Sequence, residues 1–310
     1  MNNVDKKIIV VLGPTSSGKT RIGVKLAKKF NGEIISADSR QVYKGMDVGT
    51  GKDLKEYRVV SSGHRVGKIT YHLIDVVGPN TEFNVAKFQK LGYAAIEDIL
   101  QRGKIPMIVG GTGLYISAIT EGYVLSERSK VKSKKVRRSL EPLTLKQLLV
   151  RLKKIDPKTY KIIDKKNRRR VQRALEIFYE TGKTKSEVEG KNKPPYDFLK
   201  IGLIYPREVI FRRIDKRLED RLEKENMIGE VRRLHKNGVS WKRLEAFGLE
   251  YKWLARYLQK KVGYQEMVAG LAQEIKNFSK RQIIWFKRDK DIIWTNDYDK
   301  IKKTVSEFLN

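Results

Sequence analysis

The stretch from Lys6 to Thr20, KKIIVVLGPTSSGKT, constrains the fold more than any other part of the sequence. Five apolar residues, Ile8–Leu12, predict a short buried strand, and a glycine-containing turn follows them at once. The turn has the spacing G-x-x-x-x-G-K-[ST] of a phosphate-binding loop, and the residues after it predict an amphipathic helix. A strand, a phosphate-binding turn and a helix in this order are typical of an α/β fold with a parallel sheet.

Each part of the turn suits a phosphate group. Its residues are Gly13, Pro14, Thr15, Ser16, Ser17, Gly18, Lys19 and Thr20. The two glycines allow a tight turn whose backbone N–H groups point inward. Lys19 adds a positive charge, the hydroxyl of Thr20 is placed to ligate Mg²⁺, and the following helix directs the positive end of its dipole at the same phosphates. A turn that binds nothing is the alternative, and the loop alone does not distinguish a nucleotide from another diphosphate.

The charge of the chain predicts a polyanionic partner. Its 310 residues contain 67 Lys and Arg against 36 Asp and Glu, a net charge of +31. A charge of this size favours association with nucleic acid or with an anionic membrane. A generally basic surface without a specific partner is the alternative.

The composition also excludes several classes of site. There is no cysteine, so disulfides, thiolate catalysis and cysteine-based zinc sites are excluded. Three histidines are too few and too scattered for a metal cluster. No apolar run is long enough to span a membrane, and the start of the chain has no apolar signal region. We therefore expect a cytoplasmic protein with no membrane attachment.

Further apolar runs predict more strands of the same sheet. They are Glu33–Ala37, Tyr71–Val77, Pro106–Val109, Leu199–Ile204 and Ile292–Trp294. Three of the predicted strands end in polar or glycine-rich turns, at Gly13–Thr20, Asp38–Gln41 and Gly110–Thr112. Because the carboxyl ends of parallel strands meet at one edge of a sheet, we expect these turns to line one crevice. An Asx turn at Asp38 and a plain strand-to-helix turn at Gly110 are the alternatives.

The composition changes at about residue 121. Residues 121–200 carry 24 Lys and Arg against 10 Asp and Glu, and the basic residues cluster at Lys130–Arg138 and Lys165–Arg173. Apolar residues at helical spacing predict helices here, including Arg170–Thr181. We expect an α/β core built from residues 1–120 and 201–310, with a basic helical insertion at 121–200. A solvated charged face is the alternative reading of the insertion.

Two long amphipathic helices are predicted in the last third of the chain. One begins after Pro206 and ends at Gly238, and the other covers Gly263–Arg288. The aromatic residues of this region that we expect in the core are Trp285, Phe286 and Trp294. Contact of the aromatic and basic residues at 281–288 with RNA is the alternative.

Together the motifs resemble one family, the tRNA dimethylallyltransferases, also called tRNA isopentenyltransferases. The matching segments are GPTSSGKT (13–20), ADSRQVYKGMDVGTGK (37–52), HLIDV (72–76), GGTGLY (110–115), RRRVQRALEIFYETGK (168–183), PREVIFRRIDKRL (206–218) and KRQIIWF (280–286). They span nearly the whole chain in the family's order. The segment AFGLEYKW (246–253) follows the family's pattern only in part. The resemblance implies a parallel sheet like that of P-loop NTPases, flanked by helices, with a helical insertion domain.

The resemblance also implies a reaction. Members transfer a dimethylallyl group from dimethylallyl diphosphate to the exocyclic N6 amine of an adenosine just 3′ of the anticodon, in tRNAs that read codons beginning with U. The phosphate-binding loop then holds a departing diphosphate, whose developing charge is stabilised by backbone N–H groups, Lys19 and Mg²⁺ on Thr20. The adenine must leave its stack to react. The expected partners are tRNA and dimethylallyl diphosphate, and the expected oligomeric state is a monomer.

The family's motifs assign roles to residues of this chain. The implied catalytic residues are Asp38, Thr112, Lys19 and Arg207, with Arg213 near the last. Asp38 is expected to take the proton of the amine, Thr112 to hold the amine, and Arg207 to reach the diphosphate. The implied tRNA contacts are Asp38, Ser39, Arg40, Gln41, Thr112, Arg169, Arg170, Val171, Gln172 and Arg173. The insertion is expected to hold the anticodon stem-loop through its phosphates.

Three other functions fit parts of the sequence. An adenylate isopentenyltransferase, which modifies free AMP, ADP or ATP, shares the phosphate-binding loop and the segment around Asp38, but has less need of a basic insertion. A small-molecule kinase shares the loop alone and gives no reason for the charge. A non-catalytic RNA-binding protein would not need Lys19, Thr20, Asp38 and Thr112 intact.

Overall fold

The structure is a computed structural model that describes residues 6–60, 66–125, 130–188 and 190–310. The chain divides into two compact units, a core unit of Met1–Ile116 and Pro195–Asn310 and a second unit of Ser117–Pro194. The sequence placed the corresponding boundaries at about residues 121 and 200. In the described part of the chain, no helix is long and apolar enough to cross a membrane.

The core unit is organised around a six-stranded parallel sheet. Its strands are β1 Lys7–Leu12, β2 Gly32–Ala37, β5 Tyr71–His72, β6 Ile105–Gly110, β7 Asp197–Gly202 and β8 Ile293–Trp294. They lie in the order β5-β2-β6-β1-β7-β8. In the centre, Val11 on β1 faces Val109 on β6 and Ile201 on β7. Strands buried on both faces require continuous apolar runs, which is what the sequence has. The predicted α/β fold with a parallel sheet is confirmed.

Helices pack on the sheet, and the core unit also contains a separate two-stranded antiparallel ribbon. The helices of the first half are α1 Lys19–Lys29, α2 Val85–Gln101 and α3 Gly113–Thr120, and α14 Tyr298–Leu309 closes the chain. The ribbon pairs β3 Arg58–Val60 with β4 Val66–Lys68 and is preceded by a 3₁₀ helix at Leu54–Tyr57. The apolar face of α1 is buried, and its last turn carries two lysines that complement the helix dipole.

Five helices in the last third form a second hydrophobic core in the core unit. They are α9 Arg207–Glu223, α10 Met227–Lys236, α11 Trp241–Ala246, α12 Leu249–Leu258 and α13 Tyr264–Phe286. The single helix predicted from Pro206 to Gly238 is wrong, because α9 and α10 are separated at Asn226. Asn226 adopts a left-handed conformation (φ 53°), and its side chain accepts a hydrogen bond from the N–H of Gly229 to begin α10. The other long helix is confirmed as α13.

The strand predicted over Tyr71–Val77 is only two residues long, as β5. Leu73 and Asp75 have positive φ angles of 62° and 57°, which extended backbone does not allow. The segment after β5 instead donates backbone hydrogen bonds to the carbonyl oxygens of Gln41 and Val42. It therefore supports the loop that follows β2.

The aromatic residues predicted in the core are buried to different degrees. Phe286 is buried, whereas Trp285 and Trp294 are half-buried. Each tryptophan packs on a glycine, Trp285 on Gly113 and Trp294 on Gly202, where an added Cβ would clash with the ring. The absence of a side chain at these glycines lets the two rings approach the backbone.

The second unit is helical, as predicted. Its helices are α4 Lys130–Leu140, α5 Leu145–Ile155, α6 Pro157–Ile162, α7 Arg168–Thr181 and α8 Lys185–Val188. Their apolar faces bury a small core: Leu140, Leu148, Leu152, Val171, Ala174 and Leu175. In the basic cluster at 130–138, the side chains of residues 130–134 lie outside the described residues. The basic residues of α5 and α7 that the structure describes lie mainly on the outer faces of these helices.

Candidate active site

The phosphate-binding loop connects the end of β1 to the start of α1. Gly13 has a φ of 150° and Gly18 a φ of 79°, conformations that favour glycine. A Cβ at Gly13 would lie 3.0 Å from the carbonyl oxygen of Leu203 and 3.2 Å from Oγ of Ser17. The glycine therefore allows both a tight turn and a close approach to the segment after β7.

The side chain of Lys19 folds onto its own loop, where Nζ donates a hydrogen bond to the carbonyl oxygen of Pro14 at 2.6 Å. Burial lowers its pKa to about 8, Asp38 opposes this decrease, and the nearby positive charge of Arg217 adds to it. The pKa of Lys19 therefore depends on the charges of both Asp38 and Arg217. An anion bound in the loop would restore a high pKa to Lys19.

Two hydroxyl groups of the loop are left for a ligand. Oγ of Ser17 is buried and has no hydrogen-bond partner in the described part of the chain, which in a folded protein calls for a ligand or water. The hydroxyl of Thr20 is half-buried and makes no hydrogen bond to any other described residue. The described residues contain no cluster of three acidic or histidine side chains around a common point. A hydroxyl without competing protein ligands fits Mg²⁺ that is held mainly by substrate phosphates and water.

The residues after β2 form the turn that carries Asp38. Oδ1 of Asp38 accepts hydrogen bonds from the N–H groups of Arg40 at 2.9 Å and Gln41 at 3.3 Å. The Asx turn at Asp38, which the sequence offered as the alternative to a functional role, is therefore present. Oδ2 accepts no hydrogen bond within the described parts of the chain. One oxygen of Asp38 fixes the turn while the other is left to accept a proton.

Thr112 connects the end of β6 to the same turn. Its N–H donates to the carbonyl oxygen of Ala37 at 3.1 Å, and its Oγ1 accepts from the N–H of Ser39 at 3.0 Å. The close approach is possible because Gly110 has no side chain, and a Cβ there would clash with the backbone of Ala37. The predicted convergence of the turns after β2 and β6 is confirmed.

Gln282 on α13 joins the phosphate-binding loop to the turn after β6. Its Oε1 accepts from the N–H of Thr15 at 2.8 Å, and its Nε2 donates to the carbonyl oxygen of Gly111 at 2.8 Å. The side chain of Gln282 is buried, and its bond to Gly111 is fully buried while that from Thr15 is partly buried. The turns after β2 and β6 are thus bonded directly, and Gln282 bridges the phosphate-binding loop to the turn after β6.

Arg40 and Gln41 face the protein more than solvent. Arg40 forms a largely buried ion pair with Glu250 at 2.5 Å. Burial alone would lower the pKa of Arg40, but the carboxylates of Glu250 and Asp38 raise it. The amide of Gln41 accepts from Ser36 at 2.9 Å and donates to the carbonyl oxygen of Gly51 at 3.1 Å. In this structure Gln41 therefore shapes the loop.

Glu230 holds the loop that continues from Gln41. Its buried carboxylate accepts hydrogen bonds from the N–H groups of Asp47, Val48 and Gly49 at 2.7–3.1 Å. It also accepts from the hydroxyl of Tyr251 at 2.7 Å, whose pKa is raised by burial and by this carboxylate. One side chain therefore satisfies three backbone donors, a role that sequence reasoning missed.

Arg207 lies at the exposed start of α9. Its guanidinium pairs with Glu208 at 3.5 Å and lies over the ring of Phe211, and it makes no hydrogen bond or ion pair with the phosphate-binding loop as described. Arg213 stacks on Tyr205, with 4.2 Å between the guanidinium carbon and the ring centroid. The structure does not bring either arginine to the loop, so their expected role at the diphosphate stays a prediction.

Two other arginines of α9 do reach the loop. A narrow crevice is lined by Thr15, Ser16, Ile214, Arg217, Leu218, Arg221, Glu250 and Ile275. Arg217 donates to Asp53, whereas Nη2 of Arg221 has no hydrogen-bond partner within the described ranges. Sequence reasoning missed both arginines and Glu250. The signal for Arg221 was its position on the buried stripe of α9, three residues after Leu218.

The predicted tRNA-binding residues of the second unit lie on α7. Arg169 and Arg170 are exposed at the start of the helix. Arg173 pairs with carboxylates of the same helix, and Gln172 contacts one of them at 3.4 Å. Val171 is fully buried in the core of the second unit. The side chain of Val171 therefore packs in this core, and its expected contact with tRNA stays a prediction.

Comparisons with known proteins identify the family. The family model described as IPP transferase matches residues 41–289, and a model described as isopentenyl transferase matches residues 6–66. The chain is 42% identical over 306 residues to tRNA dimethylallyltransferase 1 of Syntrophus aciditrophicus, covering 97% of each protein.

Two solved structures are similar over nearly the whole chain. The tRNA isopentenylpyrophosphate transferase from Bacillus halodurans is 34% identical with a TM-score of 0.70, and the match covers 98% of this chain and 97% of that one. A eukaryotic dimethylallyltransferase acting on tRNA is 30% identical with a TM-score of 0.75, and the match covers 97% of this chain and 77% of that one. The family match, the extent of the identity and the shared fold lead to one conclusion: the chain belongs to the IPP transferase family.

Proposed function

We propose that the chain is a tRNA dimethylallyltransferase, which transfers a dimethylallyl group from dimethylallyl diphosphate to N6 of the adenosine 3′-adjacent to the anticodon. The tRNAs modified would be those that read codons beginning with U. One observation carries the proposal. Asp38, Thr112 and the phosphate-binding loop lie at the ends of three adjacent parallel strands and are linked by hydrogen bonds.

The residues present can divide the reaction between a nucleophile side and a leaving-group side. On the nucleophile side, the C1–N6 bond forms, and Oδ2 of Asp38 accepts the proton that N6 releases. Thr112 holds the amine next to this carboxylate. On the other side, the C1–O bond breaks and its electron pair leaves with the diphosphate. Backbone N–H groups of the loop and Lys19 stabilise the charge that develops on the diphosphate oxygens.

Mg²⁺ fits the leaving-group side of the proposed reaction. The Thr20 hydroxyl has no competing hydrogen bond within the described ranges, and the buried hydroxyl of Ser17 is free to contact phosphate. When bound, the ion would neutralise charge on the diphosphate. Ser17, Lys19 and Thr20 would position the diphosphate so that its bond to the allylic carbon points toward Asp38.

The second unit supplies charge for binding tRNA. Residues 121–200 carry a net charge of +14, and Arg169 and Arg170 expose their guanidinium groups. Lysine and arginine bind RNA through its phosphates, which gives affinity that falls with salt. The eukaryotic structural relative is described as acting on tRNA. We further propose that the protein is a cytoplasmic monomer, which light scattering at assay concentrations would test.

A product assay tests the proposed function. The protein is incubated with unmodified tRNA, dimethylallyl diphosphate and Mg²⁺, and the tRNA is then digested to nucleosides. Mass spectrometry should find an adenosine heavier by C5H8, located next to the anticodon by nuclease mapping. Parallel reactions with AMP, ADP and ATP as acceptors should give no product.

The same assay separates the other functions. Product with free adenine nucleotides but none with tRNA would replace the proposal with an adenylate isopentenyltransferase. Binding of tRNA without product would favour a non-catalytic RNA-binding protein. Phosphate transfer from ATP to a small molecule would favour a kinase.

A further inference from the structure

Arg221 is a buried cation whose side chain makes no hydrogen bond to any described residue. Its residue exposure is 6%, and Nη2 lies 3.9 Å from Oδ1 of Asp53, too far for a hydrogen bond. Asp53 already accepts a hydrogen bond from Arg217. A second nearby acid, Glu250, already pairs with Arg40 at 2.5 Å. The charge of a third, Glu225, also favours the charged form of Arg221, but Glu225 makes no hydrogen bond or ion pair with it within the described residues.

A buried guanidinium with an unsatisfied N–H group is costly for the folded protein. Burial lowers the pKa of Arg221, and the positive charge of Arg217 lowers it further. Nη2 is buried and has no hydrogen-bond partner among the residues that the structure describes. Replacing such a group by an apolar residue commonly leaves stability unchanged or raises it. The fold therefore gives no reason for an arginine at this position, whereas an absent anion would.

The position of Arg221 indicates where that anion binds. The residue lines the crevice that also contains Thr15 and Ser16 of the phosphate-binding loop. The crevice has a volume of about 10 Å³, which is room for one water-sized atom such as a phosphate oxygen. The helix α9 brings the arginine there because residues 210, 214, 218 and 221 share its buried face.

We propose that Arg221 is a diphosphate-binding residue, whose guanidinium donates to a phosphate oxygen that enters this crevice beside Thr15 and Ser16. The inference rests on the proposed function in its choice of dimethylallyl diphosphate as the substrate that carries the diphosphate. Arg221 thereby adds a positive charge beside Thr15 and Ser16 of the loop. It holds the leaving group and takes no part in proton transfer.

Calorimetry with inorganic pyrophosphate tests the assignment in the full-length protein. R221M should bind pyrophosphate about 10- to 100-fold more weakly than the unchanged protein, as expected for loss of a charge-assisted hydrogen bond. R221K, which keeps the charge but not the fork of donors, should fall between the two. R212M is the matched control, because Arg212 is an exposed arginine of the same helix. Its affinity for pyrophosphate should be unchanged.

The melting temperature separates a ligand role from a structural one. Without ligand, R221M should melt at the same temperature as the unchanged protein or higher, and pyrophosphate should raise its melting temperature less. A large fall in the ligand-free melting temperature of both R221M and R221K would overturn the proposal. Unchanged pyrophosphate affinity in R221M would overturn it as well.

Kinetics distinguishes the failure of this inference from the failure of the proposed function. In R221M, KM for dimethylallyl diphosphate should rise about 10- to 100-fold while KM for tRNA stays constant. A rise in KM for tRNA alone would assign Arg221 to the RNA and reject the inference. If the unchanged protein makes no product from tRNA, the proposed function fails, and the pyrophosphate affinities still decide the role of Arg221.

Discussion

The N–H of Ser39 donates to Oγ1 of Thr112 at 3.0 Å, although the two residues follow different strands. The bond joins the turn that carries Asp38 to the turn after β6. Since Thr112 also donates from its own N–H to Ala37 at 3.1 Å, the two turns are fixed from both sides. The position of the Asp38 carboxylate is thus set before substrate binds, which is the preorganisation that a general base requires.

We predict that Asp38→Asn lowers kcat about 100- to 10,000-fold and leaves the affinity for tRNA nearly unchanged. Asparagine keeps Oδ1, which accepts from Arg40 and Gln41, but replaces the oxygen that takes the proton. The Asx turn should therefore survive. Single-turnover kinetics and filter binding of tRNA measure the two effects. Parallel losses of turnover and tRNA affinity would remove Asp38 from the role of base.

Gln282 offers a second test, of how the site is held together. Gln282→Leu removes the hydrogen bonds to Thr15 and Gly111 and should lower kcat about tenfold, because the phosphate-binding loop and the Thr112 turn lose their shared support. Gln273→Leu is the matched control, since Gln273 is an exposed glutamine of the same helix. Equal activity of the two variants would show that the bridge is dispensable.

Glu230 should contribute more to stability than to chemistry. Glu230→Gln leaves one oxygen for four donors, so at least two hydrogen bonds are lost, and we expect the free energy of unfolding to fall by about 2–4 kcal/mol. Tyr251→Phe removes one of the four and should cost about 1 kcal/mol. The exposed Glu223→Gln is the control. Urea denaturation measures all three, and a Glu230→Gln protein as stable as the control would contradict the role.

The local signals of the sequence predicted the framework of the site well. The apolar runs at β1, β2, β6 and β7 and the turns after them follow from residues close together in the chain, and each of these strands begins within two residues of the predicted position. The phosphate-binding loop was recognisable because glycine spacing and the following helix are local features. The convergence of three turns followed from the rule for parallel strands.

The missed residues act through contacts between distant parts of the chain. Gln282 meets Thr15 across 267 positions, and Arg40 meets Glu250 across 210. No periodicity reveals which acid a given arginine will meet. What the sequence did contain were polar residues on buried helical stripes, Gln282 on α13 and Arg221 on α9. A polar residue on a buried helix face must find a hydrogen-bond partner, so these two positions could have been singled out from the sequence.

The affinity of the second unit for tRNA can be tested without measuring chemistry. Replacing both Arg169 and Arg170 by Gln should reduce the slope of log affinity against log salt by about 1.4–1.8, the loss of two phosphate contacts. The matched control replaces Arg232 and Arg233, an exposed adjacent pair on α10 in the core unit. An equal change of slope in the two double variants would mean that general charge, and not α7, binds the RNA.

Lys19 should make the binding of diphosphate depend on pH. Its pKa in the ligand-free protein is lowered to about 8, mainly by burial. Below that pH the ammonium is charged before the ligand arrives, so this group adds no pH dependence. Above it, binding must take up a proton, and pyrophosphate affinity should fall by up to about tenfold per pH unit. Without ligand, the folding equilibrium has the opposite pH dependence. Between the lowered pKa of Lys19 in the folded protein and its higher pKa in the unfolded chain, only the unfolded chain holds the proton. The free energy of unfolding should therefore rise with pH over that range.

The Lys19→Arg variant isolates this effect from the titration of pyrophosphate itself. Arginine stays protonated throughout the range. The ratio of the dissociation constant of the unchanged protein to that of the variant should therefore be constant up to about pH 8 and increase above it, as measured by calorimetry at a series of pH values. A ratio that stays flat to about pH 10 would mean that Lys19 is charged in the free loop at every pH. Its burial against Pro14 would then have no influence on how the loop receives a diphosphate.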